Sequence, residues 1–462
     1  MAELENGFVA SAGESVAASG SVAFADSDGT PSEQTKRRKA IEALGFDPEA
    51  VKKLPLGELL KKVGPGFILA GIQLGPGSLL TSAMLGAEYG YALMWILLPV
   101  IFMGTTFIMV CYRLSMLTGM PTVHAIRHYY GAGAAGFVGV VAFLACMCFN
   151  VGNVSGIGAG MQLLTGLDWR IGALVVMAFV FLCYFMRGVY AKLERCVSVA
   201  LALMAIAFLV VLFMSGGIDT ARFATGMVAW QFPEGSIPTV LAFLGSSATV
   251  LAGMYGTYLG CEKDWKKQDL FNGVMAVDAA AQVFGTVVIS GLIIAVGAVV
   301  LNPTGATINA PADLAAMLVP TLGAAAPIVM GVALLAAAFA AIMGNTGRCV
   351  VFLMAGLDKS TSLEGHNVKV AAGVVMALAI VVCFIFGGSP VQLLYFSNVA
   401  TSVATPVAGF FITRMIWRED IACGIRGHKA LRVCMTISYV VYVCLMAFAL
   451  ARAIPNFVGS LV

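Results

Sequence analysis

Of 462 residues, 60% are hydrophobic and only 11% are charged, and the mean hydropathy is +0.93. Such values exclude an ordinary soluble domain, and apolar runs of about 20 residues leave room for roughly ten to twelve membrane spans. The formal net charge of +3 says little as a total, because the placement of Lys and Arg decides orientation in a membrane protein.

Residues 1–55 are rich in Ala, Ser, Gly and Glu and carry the basic cluster Lys36-Arg37-Arg38-Lys39. They lack an apolar run with a cleavage site, so they are not a signal peptide. The expectation is a disordered cytoplasmic tail, with a short surface helix near residues 55–62. Residues 56–462 then form one transmembrane domain.

Eleven spans are predicted, near residues 65–88, 92–118, 134–164, 170–187, 193–215, 238–261, 272–301, 325–357, 368–386, 390–416 and 430–453. With the N-terminus in the cytoplasm, all of the 27 basic residues except Arg170, Arg222 and Arg452 fall inside. The positive-inside bias therefore supports a cytoplasmic N-terminus and an external C-terminus.

Span one is interrupted by Gly71-Ile72-Gln73-Leu74-Gly75-Pro76-Gly77-Ser78. Pro removes a backbone donor and disrupts the helix, and no lipid replaces the lost hydrogen bonds. A break at that depth is tolerated where it is buried in protein or lines a polar cavity, and in secondary transporters that cavity holds the substrate. Span six shows a matching irregularity, with small and hydroxyl residues clustered over Gly245-Ser246-Ser247-Ala248-Thr249 and on to Gly253. Two interrupted helices in equivalent positions of two halves point to an inverted-repeat transporter, five spans plus five plus one. Other glycines, including Gly131-Ala132-Gly133 and Gly158-Ala159-Gly160, are read as close helix packing.

Most of the 11 cysteines lie in apolar runs, where Cys acts as a small hydrophobe, and there is no CxxC pair. The four histidines, His124, His128, His366 and His428, fall outside the predicted spans. There is no nucleotide loop, zinc spacing or nucleophile motif, so an enzyme is not expected and no cofactor is assigned.

The two breaks and their flanks resemble the Nramp family of divalent metal transporters. Gly75-Pro76-Gly77-Ser78 followed by Gly86-Ala87-Glu88-Tyr89-Gly90-Tyr91-Ala92-Leu93-Met94-Trp95 is similar to the family's Asp-Pro-Gly-Asn and Gly-Ala-x-x-Gly-Tyr-x-Leu-Leu-Trp. Ala248-Thr249-Val250 matches the start of the family's Ala-Thr-Val-Met-Pro-His, and Leu394-Tyr395-Phe396-Ser397-Asn398 resembles a segment that usually ends in Gln. The resemblance implies an all-α membrane protein of the leucine-transporter-type fold, with its site between helices one and six. The implied substrate-binding residues are Gly75, Ser78, Ser247, Ala248, Thr249, Leu251 and Asn398, with Gly75, Ser78 and Ala248 nearest a metal.

The departures matter as much. Gly75 stands where the family has its metal-binding Asp, Ser78 where it has Asn, Leu251 where it has the thioether Met, and Ala252-Gly253 where it has Pro-His. The acidic residues of the family's proton path align with Gly152 and Ser155, with Asn150 and Asn153 nearby. A soft sulfur ligand selects transition metals, whereas hard ions such as Mg²⁺ take oxygen and retain water. A neutral oxygen site therefore suits a weakly held hydrated cation, with little or no proton coupling. Asp278, inside span seven, and Glu88, at the external end of span one, are the groups expected to attract cations. Arg348 is read as a structural anchor of span eight, within reach of Asp358.

The leading expectation is an Nramp-related secondary transporter for Mg²⁺ or Mn²⁺, a monomer in the plasma membrane whose partners are the cation and the bilayer, with no nucleic acid. A transporter of a small organic solute such as an amino acid, or a non-transporting membrane sensor, stays open. An Asp278 side chain turned toward the cavity favours the cation; one turned toward helices favours the solute.

Overall fold

The computed structural model describes residues 63–185, 217–386, 389–422 and 429–459, together with parts of 41–59 and 195–215. Span one is the bent pair α1 (Pro65–Gln73) and α2 (Pro76–Tyr89), set at 59° to each other. Then come α3 (Leu97–Thr118), α4 (Thr122–Thr165) and α5 (Trp169–Phe185). Span six is α6 (Ile237–Ser247) and α7 (Val250–Glu262). The remainder is α8 (Val274–Val300), α9 (Ala326–Gly356), α10 (His366–Phe386), α11 (Pro390–Ser402), α12 (Ala404–Ile416) and α13 (Lys429–Gly459).

Among the described residues, eight helices are long and apolar enough to cross a membrane, and the bent pair makes a ninth. In order they correspond to spans one to three and six to eleven of the sequence reading; α5 corresponds to span four. Span five and the N-terminal tail lie largely outside the described residues.

Local sequence explains the element ends. Pro65, Pro76 and Pro390 sit at first helical positions, where the missing N–H removes no helix bond. Gly166, at φ +71°, closes α4 in a left-handed turn. Within α4 the chain kinks at Gly131, φ +88° and ψ 170°. This corrects the packing reading of that glycine run: nothing lies within 4 Å of where a Cβ would stand on Gly131 or Gly133. Gly131 breaks the run, so a short helix over residues 122–130, which carries His124 and His128, precedes the stretch predicted as span three. Gly158 and Gly160 do pack closely, against the Trp169 and Gly331 carbonyls at 2.5 and 2.9 Å from the Cβ position.

The 44-residue α4 runs through the middle of the bundle and packs on α9, α11 and α5. Outward-facing side chains such as Val175, Phe179, Phe284, Val374 and Ile385 are large, apolar and exposed, as a lipid-facing surface requires.

Candidate substrate site at the broken helices

At the first break, Gly75 has an extended backbone (φ −65°, ψ 175°) and Leu74 caps α1. The Ser78 hydroxyl donates to the Gln73 carbonyl across the gap, satisfying an acceptor the lost helix turn would otherwise strand. The Gln73 side chain accepts from Gln282 Nε2 and from Thr286 Oγ1 on α8. Pro76 rests on Gly156 of α4, whose missing side chain makes room for its ring.

At the second break, Ala248 (φ −131°, ψ 53°) and Thr249 (φ −99°, ψ 141°) leave the helical region. Thr249 Oγ1 accepts from the Leu251 amide at 3.2 Å and shares a 2.9 Å bond with Thr405 Oγ1 on α12. The Thr249 hydroxyl is thus occupied as an N-cap. Ser247 Oγ has only a 3.5 Å contact with Ser246 Oγ.

Two carboxamides converge on the first break. Asn398, on α11, is fully buried, and neither its Oδ1 nor its Nδ2 has a hydrogen-bond partner. It lies over Gly77, with Oδ1 and Nδ2 at 2.6 and 3.0 Å from the position a Cβ would take. Asn153, on α4, points Oδ1 to within 3.1 Å of the corresponding position on Gly75, and its Nδ2 is buried and unpaired. Buried polar groups are normally satisfied, and leaving one bare costs about 1–3 kcal/mol. Side chains kept in that state beside a broken helix mark a ligand position.

The predicted residues therefore divide. Gly75, Ser78 and Asn398 share the first break; Ser247, Ala248, Thr249 and Leu251 are buried at the second. Among the described residues, no hydrogen bond joins the two breaks. Asn153, Gln73 and Gln282 belong to the constellation but were not named as site residues; a polar amide in the middle of an apolar span was the available signal.

Asp278 has another role than the one expected. Its Oδ1 accepts from the Gly64 and Gly66 amides at 3.1 and 2.9 Å, and its Oδ2 from the Tyr112 hydroxyl at 2.8 Å. It is fully buried and caps the N-terminus of α1, where a negative charge also complements the helix dipole. It faces helices and not the cavity. Glu88 is half-buried at the end of α2. Arg348 does not pair with Asp358, which instead lies 3.6 Å from Arg127; it is 2% exposed and donates from Nε to Asn345 Oδ1 at 2.8 Å. Among the described residues, no group of three or more His, Cys, Asp and Glu side chains is arranged to hold a metal ion.

Comparison with known proteins decides the family. The sequence model of the natural resistance-associated macrophage protein-like (Nramp) family matches residues 66–452. The chain belongs to the Nramp-like family. A divalent metal cation transporter MntH of Staphylococcus saprophyticus is 29% identical over 159 residues, 34% of this chain and 36% of that one. Its counterpart in Staphylococcus aureus strain JH9 is 27% identical over 184 residues, 40% of each. The matched stretch is thus well under half the length of these curated relatives. Among solved structures, the manganese transporter of Eremococcus coleocola superposes with TM-score 0.71 at 16% identity, covering 88% of this chain and 90% of that one. MhsT in complex with L-phenylalanine superposes with TM-score 0.58 at 18% identity, over 83% and 97% of the two chains. Both similarities show the shared leucine-transporter-type fold of a multi-pass membrane protein.

Proposed function

We propose that this Nramp-like protein is a secondary transporter that passes a divalent cation, Mg²⁺ or Mn²⁺, through the breaks of spans one and six by alternating access. Family membership and the metal transport named for its relatives put a divalent cation first. The observation that carries the reading is the pair of unsatisfied carboxamides, Asn398 and Asn153, at the first break. Carboxamide oxygens, backbone carbonyls and Ser247 offer hard neutral ligands to an ion that keeps part of its water. The thioether, a soft ligand for transition metals, and the carboxylate, a charged hard one, are both missing, so binding is weak. Gly152 and Ser155 give a proton nowhere to reside in span three, which makes coupling weak or absent. The protein then works as a monomer in the plasma membrane, with its basic loops and N-terminus in the cytoplasm.

A second reading is supported by charge: Asp278 is turned away from the cavity, and Arg348 is buried with no carboxylate partner among the described residues. Both suit a small organic solute bearing a carboxylate. Mn²⁺ binding to the purified protein, read as loss of the free-ion electron paramagnetic resonance signal, separates the two. The cation reading expects weak binding, in about the millimolar range, displaced by Mg²⁺ and reduced in Asn398→Leu. Binding that is absent, or unchanged in Asn398→Leu, overturns it.

A further inference from the structure

Span seven, α8, is apolar over most of its length, but it carries Asp278, Gln282, Thr286 and Ser290. A spacing of four residues stacks these side chains along one face of a helix, and all four are buried. A polar row inside a membrane bundle is costly, and every group in it is expected to find a partner.

Printed contacts fix what that row faces. Gln282 Nε2 and Thr286 Oγ1 both donate to Gln73 Oε1 at the end of α1, and Ser78 Oγ donates to the Gln73 carbonyl from the start of α2. Farther along, the Ala83 carbonyl lies 3.0 Å from the Cβ position of Gly297, and Gly86 packs on the Ile294 carbonyl. Span one and α8 therefore run side by side in the same direction: Gly66 meets Asp278, Gln73 meets Gln282, and Gly86 meets Ile294. In that register Ser82, one turn before Gly86, is level with Ser290, one turn before Ile294.

Three oxygens along this seam are bare. Gln282 Oε1, Ser290 Oγ and Ser82 Oγ are buried and have no hydrogen-bond partner. The Gln282 amide is held as it stands, because turning it over would set its oxygen against Gln73 Oε1. Its carbonyl is thus an acceptor with no donor. The nearby charge is negative: Asp278, one turn before Gln282, accepts three hydrogen bonds, and no ion pair among the described residues includes it. The seam is also separate from the carboxamides of the substrate site. α8 packs on α1, α2 and α3, whereas Asn153 and Asn398 reach the break from α4 and α11.

We propose that the seam between spans one and seven binds a monovalent alkali cation, Na⁺ or K⁺, through Gln282 Oε1, Ser290 Oγ and Ser82 Oγ. These are neutral, hard oxygen ligands, and water completes the shell. One buried carboxylate a turn away matches a single positive charge and leaves a divalent ion undercompensated. The ion bridges α2 and α8 beside the break of span one, so its binding is linked to the order of that break. It accompanies either substrate of the function proposed above and uses none of Asn153, Asn398 and Ser247.

The test is thermal unfolding of the purified full-length protein in choline chloride, with choline replaced stepwise by Na⁺ or K⁺ at constant ionic strength and no divalent cation present. An ion that binds the folded protein raises the midpoint, and a saturable rise is expected with at least one of the two. Half-saturation should move at least about tenfold in Gln282→Leu and several-fold in Ser290→Ala and Ser82→Ala, as loss of a strong or a weaker oxygen ligand implies. Asn398→Leu should titrate as the native protein does. If neither ion gives a saturable rise, the bare oxygens hold water alone and the proposal is wrong. It is equally wrong if Gln282→Leu and Ser290→Ala titrate like the native protein, or if Asn398→Leu abolishes the response, which would move the ion to the substrate site. Should Gln282→Leu fail to fold, Ser290→Ala and Ser82→Ala decide by the same criterion. Neither flux nor a divalent cation enters the readout, so this proposal and the transport reading fail separately.

Discussion

Replacing Asp278 separates a structural cap from a cation-attracting group. Its Oδ1 takes both the Gly64 and the Gly66 amide, and its Oδ2 takes Tyr112. Asp278→Ala strands two buried backbone donors at about 1–3 kcal/mol each and removes the dipole complement, worth about 0.3–1 kcal/mol, for a total of roughly 2–7 kcal/mol. Asp278→Asn keeps one oxygen for both amides and loses only charge assistance and the better acceptor for Tyr112, roughly 1–3 kcal/mol. Unfolding in mixed micelles with increasing SDS, with and without Mn²⁺, measures both. The expected order is native, then Asn, then Ala, with the same Mn²⁺ increment in all three. A cost for Asn equal to that for Ala, or a Mn²⁺ increment that vanishes in both variants, would refute the cap and return Asp278 to the ion.

Asn398→Leu removes a carboxamide with no partner, so stability should hold or rise by about 1 kcal/mol while substrate flux falls at least tenfold; a clear loss of stability would mean the amide is bonded in the fold. Gly75→Asp brings its Cβ to 2.9 Å from Ala341 Cβ, so alone it should destabilise by about 1–3 kcal/mol, whereas with Ala341→Gly it should fold and tighten Mn²⁺ binding measurably by paramagnetic resonance. Gly158→Ala, with the Trp169 carbonyl at 2.5 Å, should cost about 1–3 kcal/mol, whereas Gly133→Ala, with nothing within 4 Å, should be neutral or gain up to about 1 kcal/mol; paired thermal melts check the contrast. Thr249→Val loses the N-cap to Leu251 and the bond to Thr405, and a drop of about 1–2 kcal/mol is expected.

The bent span one and its partner were legible because Gly-Pro-Gly and a run of small hydroxyl residues cannot sustain a helix in lipid, whatever surrounds them. Span limits were legible from hydropathy alone, within a few residues, except at α4. There a short helix carrying His124 and His128 precedes the kink at Gly131; it is too polar to register as membrane, and the predicted span starts just after the kink. The roles of single polar residues were not legible. Nothing in Val277-Asp278-Ala279 says that the carboxylate meets the start of α1 some 212 residues away, and nothing in Thr346-Gly347-Arg348-Cys349 says that the guanidinium is buried with no carboxylate partner among the described residues. Those facts arise from which helix lies opposite, a property of packing. Asn153 and Asn398 sat in plain view in apolar spans, but only the absence of partners distinguishes a waiting ligand group from a satisfied core amide.

The most direct test is uptake of Mn²⁺ and of Mg²⁺ by proteoliposomes of the purified protein, followed with luminal cation dyes and, in parallel, a luminal pH dye. Saturable uptake without acidification, lost when Gly75-Pro76-Gly77-Ser78 is replaced by a helix-forming segment, is the predicted result. Uptake of neither ion above that of empty liposomes would contradict cation transport through the breaks and leave the small organic solute as the substrate.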